Sequence, residues 1–181
     1  NFLVSHMNQK RKKNQMTPEF IINKLNLKPL EPEGGFFCET YRSDEVIKNS
    51  CLNNKYGKDK YLKTAIYYLI TKDTKSAIHK LKSDEVFHFY SGDPVLMFFI
   101  YPEGRTEKKI LGNRIDKGET PQVIVPAQTW QGCMLMEGGN YALMGTTMAP
   151  GFDFSDYEEP DPEKLIKEFP EEKEIINKLC N

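Results

Sequence analysis

The residues best suited to chemistry are an imidazole and a carboxylate, His79 and Glu85, close together in the stretch Ser76 to Pro94. Two of the chain's three histidines, His79 and His88, fall in this stretch. A His and a Glu presented inward by neighbouring strands can ligate a metal, act as an acid/base pair or form a buried salt-linked pair. Residue type alone leaves all three open. Alternation supplies the direction, because residues two apart on a strand share a face. Ala77, His79 and Leu81 then point one way, into a cavity, while Ser76, Ile78 and Lys80 point the other. Beyond a break at Lys82-Ser83, Glu85 shares a face with Phe87 and Phe89. His88 lies with Val86 and Tyr90 on the opposite face, as a surface or interface residue.

Further residues gather round that pair as ligand-binding candidates: Glu39, Tyr41, Tyr68, Phe87, Trp130 and Gln131. Glu39 shares a strand face with Phe37 and Tyr41, and is either a second pocket acid or one end of an inter-strand ion pair. Trp130, the sole tryptophan, either packs a core or offers its indole N–H at a pocket mouth. Gln131 both donates and accepts, which suits a polar ligand better than a metal. Arg42 or Lys80 could supply positive charge, and the phenols of Tyr41, Tyr67 or Tyr68 could donate a proton. The aromatics Tyr67, Tyr68, Phe87, Phe89, Phe98 and Phe99 read as core, with part of the group lining the cavity.

The elements that must hold these side chains are short strands. Phe36–Arg42, Leu62–Thr71, the two segments around His79 and Glu85, Val95–Tyr101, Lys108–Leu111, Gln122–Val125, Trp130–Met136 and Tyr141–Met148 alternate with Gly and Pro breaks. That spacing predicts an all-β sandwich or barrel. Thr17-Pro18-Glu19 and Asp161-Pro162-Glu163 each read as N-cap, helix-opening proline and first-turn acid. A helix is therefore expected before the strands. Two more follow them, divided at Pro170 and packed on the outside of the β-domain. Ser43–Lys60 reads as a mobile loop, and residues 150–154 as a turn anchored by Phe152 and Phe154. Residues 1–16 are set aside as a disordered or foreign leading segment with His6 inert; 17–158 form the β-domain and 159–181 a helical extension.

Composition narrows the function classes. The 25 basic and 26 acidic residues nearly cancel, which argues against nucleic acid or an anionic membrane as partner. Apolar runs are too short to span a bilayer. The 4 cysteines show no CxxC pair or metal-finger spacing. Cys133 in an apolar strand reads as a buried free thiol, which suits a reducing, cytoplasmic setting.

Five segments, taken in order, carry a family resemblance. They are Gly34 to Arg42, Ala65 to Ile70, His79 to Pro94, Val125 to Gln131 and Ala149 to Phe154. Together they resemble a small cupin family of the RmlC-like group, long carried as a domain of unknown function. The resemblance implies a double-stranded β-helix, the cupin jelly roll, to which the cap signals add short N- and C-terminal helices, and it implies a homodimer, expected to form through strands near the N-terminal part. It implies no particular reaction. Metal-binding cupins present His-x-His and a Glu in their first motif and another His in the second. Here Ala77 stands before His79 where a partner histidine would be, and Gln131 stands where the second-motif histidine would fall. No metal ligand is therefore assigned and no cofactor is expected, a divalent metal being the minority alternative. A second resemblance is to dTDP-4-dehydrorhamnose 3,5-epimerase, whose Arg-Gly-Leu-His motif aligns with Ser76-Ala77-Ile78-His79: the base is kept and the arginine is not. The expected function is small-molecule binding, with His79 and Glu85 as the catalytic pair of a metal-independent isomerase or epimerase on a carbohydrate-like or keto compound. The alternatives are a non-catalytic binding module and a metal-dependent cupin.

Overall fold

The computed structural model describes residues 16–180. The expectations for the leading segment, His6 included, fall almost wholly outside them. Helix α1 (Pro18–Leu25) starts where its cap signal lies: Thr17 Oγ1 accepts the Phe20 N–H at 3.2 Å and Pro18 opens the first turn. Asn26 ends it in the left-handed region at φ 54°, a conformation asparagine tolerates.

Twelve strands follow: β1 (Lys28–Pro29), β2 (Phe36–Arg42), β3 (Val46–Ile47), β4 (Lys60–Tyr61), β5 (Thr64–Thr71), β6 (Ser76–His79), β7 (Glu85–Gly92), β8 (Val95–Ile100), β9 (Thr106–Leu111), β10 (Gln122–Val125), β11 (Trp130–Leu135) and β12 (Tyr141–Met148). The larger sheet runs β1-β2-β5-β12-β7-β10, the second β6-β11-β8-β9, and β3 pairs with β4 alone. All pairings between these strands are antiparallel, as a jelly roll requires.

The two sheets close on a core of Tyr68, Ile70, Phe87, Val95, Met97, Phe99, Cys133 and Met144, with further apolar neighbours. Strand β8 is covered on both faces. Val95, Met97 and Phe99 enter this core, while Phe98 and Ile100 meet Leu165, Ile175, Ile176 and Leu179 of the terminal helices α2 (Pro162–Glu168) and α3 (Lys173–Leu179). A strand buried twice has no reason to alternate, hence its unbroken apolar run. Asp161 caps α2, accepting from Glu163 and Lys164 N–H at 3.1 and 3.2 Å. Among the described residues no helix is long and apolar enough to cross a membrane.

Three local expectations change. Ser43–Lys60 is built rather than loose: it holds β3, a 3-10 turn at Asn49–Leu52, and Asp59, which accepts from Asn49 N–H and Lys48 at 2.9 and 2.8 Å. Its end is buried, because Lys60 meets Asp156 at 2.5 Å with both side chains 2% exposed. Strand β2 carries a bulge at Thr40: Glu39 pairs with Ile66 but Tyr41 with Ala65, so one residue is unmatched. One extra residue reverses facing, and Tyr41 turns outward while Arg42 turns in. Strand β6 is irregular against β11, where Gln131 faces His79 but Cys133 faces Ser76. Ser76, read as outward, thereby joins His79 on the inner side.

Candidate functional site

The site forms where β6 ends, β7 begins and β11 passes between β6 and β8. His79 is the last residue of β6, Glu85 the first of β7, and Gln131 lies across from His79 in the sheet register. Imidazole Nδ1 donates to the carbonyl of its own strand mate Ala77 at 2.8 Å, which leaves Nε2 to accept. The Gln131 amide nitrogen stands 3.3 Å from that Nε2 and donates to Glu85 Oε2 at 2.6 Å. One amide group thus bridges the histidine and the acid. The His79 ring is stacked by Tyr157, with centroids 5.0 Å apart and planes 21° from parallel.

A second carboxylate arrives from a turn. Glu33 lies between β1 and β2, just before Gly34 and Gly35, whose φ values of 101° and 70° allow the chain to double back. A side chain on Gly35 would meet the Tyr68 ring at 2.9 Å, so glycine is required there. The Glu33 carbonyl accepts the Ala77 N–H at 2.8 Å and pins the turn to β6. Its carboxylate accepts from Ser76 Oγ at 2.8 Å and stands 3.9 Å from His79 Nε2.

Burial sets the electrostatics. Glu85 is 7% exposed; desolvation raises its pKa above the ordinary carboxylate value and the charge of Glu33 adds to the rise, against His79, Gln131 and Thr146. Desolvation likewise lifts the phenol of Tyr68 well above its usual value and that of Tyr157 strongly upward, Glu33 being the next cause in both. The Cys133 thiol is raised by burial too, which makes it inert.

These groups border a cavity of about 230 Å³. Glu33, Glu85, Tyr68 and Thr146 lie on its wall together with Leu30, Phe37, Ile66, Leu81 and Met148, and Glu39, Arg42, Phe152, Asp153 and Phe154 complete the lining. Of the residues singled out from the sequence, Glu39, Tyr68 and Glu85 therefore face the space directly. His79 and Gln131 are buried beside it, 1% and 3% exposed, and act on it through Glu85. Phe87 is a core side chain between the sheets. Tyr41 is 47% exposed on the outer face, moved there by the Thr40 bulge. Trp130 also departs from the pocket reading: the parity that turns Gln131 inward turns its indole outward, against the helix-covered cluster and under Lys80 at 4.4 Å. His88 stays on the outer side, bonded to Thr147 Oγ1 at 3.0 Å and Gln122 at 3.2 Å.

Sequence reasoning missed Glu33 and Tyr157. Both sit outside the strands, where no periodicity assigns a face. The signal for Glu33 was its place ahead of two glycines, which marks a sharp turn but not its destination.

The metal typical of metal-binding cupins does not fit these residues. Gln131 presents N–H groups to both His79 and Glu85, where a cation needs lone pairs. Among the described residues no three His, Cys, Asp or Glu side chains gather closely enough to hold an ion.

The family described as "Cupin superfamily (DUF985)" matches residues 19–159. The chain is 30% identical over 133 residues to the uncharacterised protein YML079W of Saccharomyces cerevisiae, covering 69% of this chain and 66% of that protein. It thus spans just under two thirds of that relative's length. Protein SO0799 from Shewanella oneidensis superposes with a TM-score of 0.81 at 30% identity, over 92% of this chain and 98% of that one. A hypothetical protein from Leishmania major gives 0.81 at 29%, over 91% and 99%. Oxalate decarboxylase from Bacillus subtilis, at TM-score 0.50 and 16% identity over 83% of this chain and 36% of that one, shares the fold alone. A family match running through nearly all of the barrel, joined to that two-sheet architecture, makes this chain a member of the cupin superfamily, in its DUF985 family.

Proposed function

We propose that this cupin binds a small carbohydrate-like or keto compound in its barrel and isomerises or epimerises it by metal-independent proton transfer. One observation carries the reading: two carboxyl groups, Glu33 and Glu85, face one cavity, and the pKa of Glu85 is raised by burial and by Glu33. Carboxyl groups whose environments push them apart divide naturally into acid and base. Protonated Glu85 hydrogen-bonds the substrate carbonyl and delivers its proton to that oxygen. Glu33 removes the proton from the neighbouring carbon, and the C–H electron pair becomes the C=C bond of an enediol. For isomerisation, Glu33 then returns its proton to the former carbonyl carbon, while the hydroxyl on the adjacent carbon gives its proton to Glu85 as the new C=O forms. For epimerisation, Glu33 returns it to the other face of the original carbon after the enol turns over, and the enol hydroxyl returns its proton to Glu85. Both carboxyl groups end as they began. His79 and Gln131 keep Glu85 oriented. This exchanges the roles expected from sequence, in which His79 is the base and Glu85 orients it.

The test is solvent exchange. A panel of small ketoses and aldoses incubated with the protein in deuterium oxide should gain deuterium next to the carbonyl, and Glu85→Gln should slow this at least about 100-fold. A panel member that binds without exchange in the wild type would defeat the catalytic reading. It would favour a non-catalytic binding module, for which the apolar lining of Leu30, Phe37, Ile66, Leu81 and Met148 speaks.

A homodimer belongs to the same proposal. Tyr41, Tyr90 and Ile124 are exposed on the outer side of the larger sheet and offer apolar surface to a second copy. The cytoplasmic setting also stands as a proposal, supported by four cysteines that are all free. Sedimentation measures the first, and the fractionation of the tagged protein the second.

A further inference from the structure

The cavity wall is unbalanced in charge. Glu33, Glu39, Glu85 and Asp153 line it, against Arg42 as the one cation among the described lining residues. That arginine is already engaged. Its Nε and Nη2 donate to the two oxygens of Glu39 at 2.9 and 2.5 Å, its Nη1 donates to the Phe152 carbonyl at 3.4 Å, and its plane lies 4.8 Å over the Tyr61 ring. Asp153 is held by Lys58 at 2.7 Å. Removing these two pairs leaves Glu33 and Glu85. Among the described residues neither carboxylate forms an ion pair with a lysine or arginine; Glu33 accepts from Ser76 and stands 3.9 Å from His79 Nε2, and Glu85 accepts from the Gln131 amide.

Elsewhere the same chain does supply a cation to a buried acid, as Lys60 does for Asp156. A cavity that omits one has little to offer an anion, since no guanidinium or ammonium donor is spare to meet it. It has a place for a positive charge, because a buried carboxylate is costly until a counter-charge or donors satisfy it. The remaining wall, with Phe37, Ile66, Leu81 and Met148, is apolar. Its 230 Å³ is below the roughly 300–1,000 Å³ of sites for drug-sized ligands.

We infer that the cavity takes a small compound bearing a primary ammonium group, its nitrogen on the Glu33 carboxylate, its carbonyl oxygen left to Glu85, and its carbon body against Phe37, Ile66, Leu81 and Met148. The inference rests on reading this cavity as the small-molecule site, and it narrows the substrate class to amine-bearing carbonyl or sugar-like compounds. Anions, free carboxylates and phosphate monoesters alike, are disfavoured by the same charge pattern.

Three probes of one shape separate charge from fit: cyclohexylammonium, cyclohexanol and cyclohexanecarboxylate, titrated calorimetrically into the full-length protein at neutral pH. The ammonium should bind at least tenfold more tightly than the alcohol, with the carboxylate weakest. In Glu33→Gln that preference should shrink severalfold, more than in Glu85→Gln, while the alcohol keeps its affinity in both, which also shows that the variants are folded. Tightest binding by the alcohol or the carboxylate would overturn the ammonium assignment and leave the cavity reading in place. An ammonium preference untouched in Glu33→Gln would overturn its location. Absence of binding by all three, in calorimetry and in amide-shift titrations at saturating probe, would overturn this inference and the small-molecule site together.

Discussion

Two buried acids in this chain receive opposite treatment. Asp156, 4% exposed, is met by Lys60 at 2.5 Å with Lys82 at 3.7 Å, and it ties the segment before β5 to the segment after β12. Glu85, 7% exposed, receives an amide donor and faces a second carboxylate across a cavity. Burial disfavours charge in both places, but only the first is compensated by a full opposite charge. The first arrangement holds the fold. The second keeps a carboxyl reluctant to ionise, a property with use in proton transfer and little use in stability.

The sharpest way to break this contrast is to remove the cation. Lys60→Met leaves Asp156 buried without its main partner, and should cost about 3–5 kcal/mol in urea unfolding; a loss under about 1 kcal/mol would mean that the buried pair is not structural. The opposite acid should respond in the opposite direction. Glu85→Gln removes a desolvated carboxyl and should leave stability unchanged or raise it by about 1 kcal/mol, while slowing the proposed solvent exchange at least about 100-fold.

The pH dependence sharpens the same point. Because the folded pKa of Glu85 is raised, the native state holds its proton where the unfolded chain has released it. Its contribution is therefore present below the usual carboxylate range and is lost as pH rises through the folded value. Wild type should lose stability relative to Glu85→Gln as pH rises above the ordinary carboxylate range, and a difference constant with pH would refute the upward shift. Asp153 runs the other way: Lys58 draws its pKa far below normal, so its contribution is lost only as pH falls through that lowered value. The smallest effect belongs to this exposed pair. Lys58→Ala should change unfolding free energy by no more than about 0.5 kcal/mol, since solvent screens half-exposed ions.

Local chemistry was readable wherever it acts over a few residues. Thr17 and Asp161 announce their helices through side-chain oxygens that satisfy free N–H groups one turn on. Strand β8 announces burial on both faces by its unbroken Val-Leu-Met-Phe-Phe-Ile run. Parity correctly set Glu85 and Phe87 inward and His88 outward, since β7 is regular across those residues against β12. It failed at Tyr41 and Ser76, because a bulge is defined by two strands and neither strand's sequence contains it.

The amino-acid order by itself determined the strand-and-turn pattern, the helix caps, the family motifs and the inward imidazole and carboxylate, because each depends on neighbours along the chain. Tertiary structure alone decided that Glu33 swings in from a turn beside His79, that Tyr157 covers the ring, and that the acids rather than the imidazole face the cavity. Those outcomes depend on strand register and on which groups share a buried space, and register is an agreement between segments far apart in sequence.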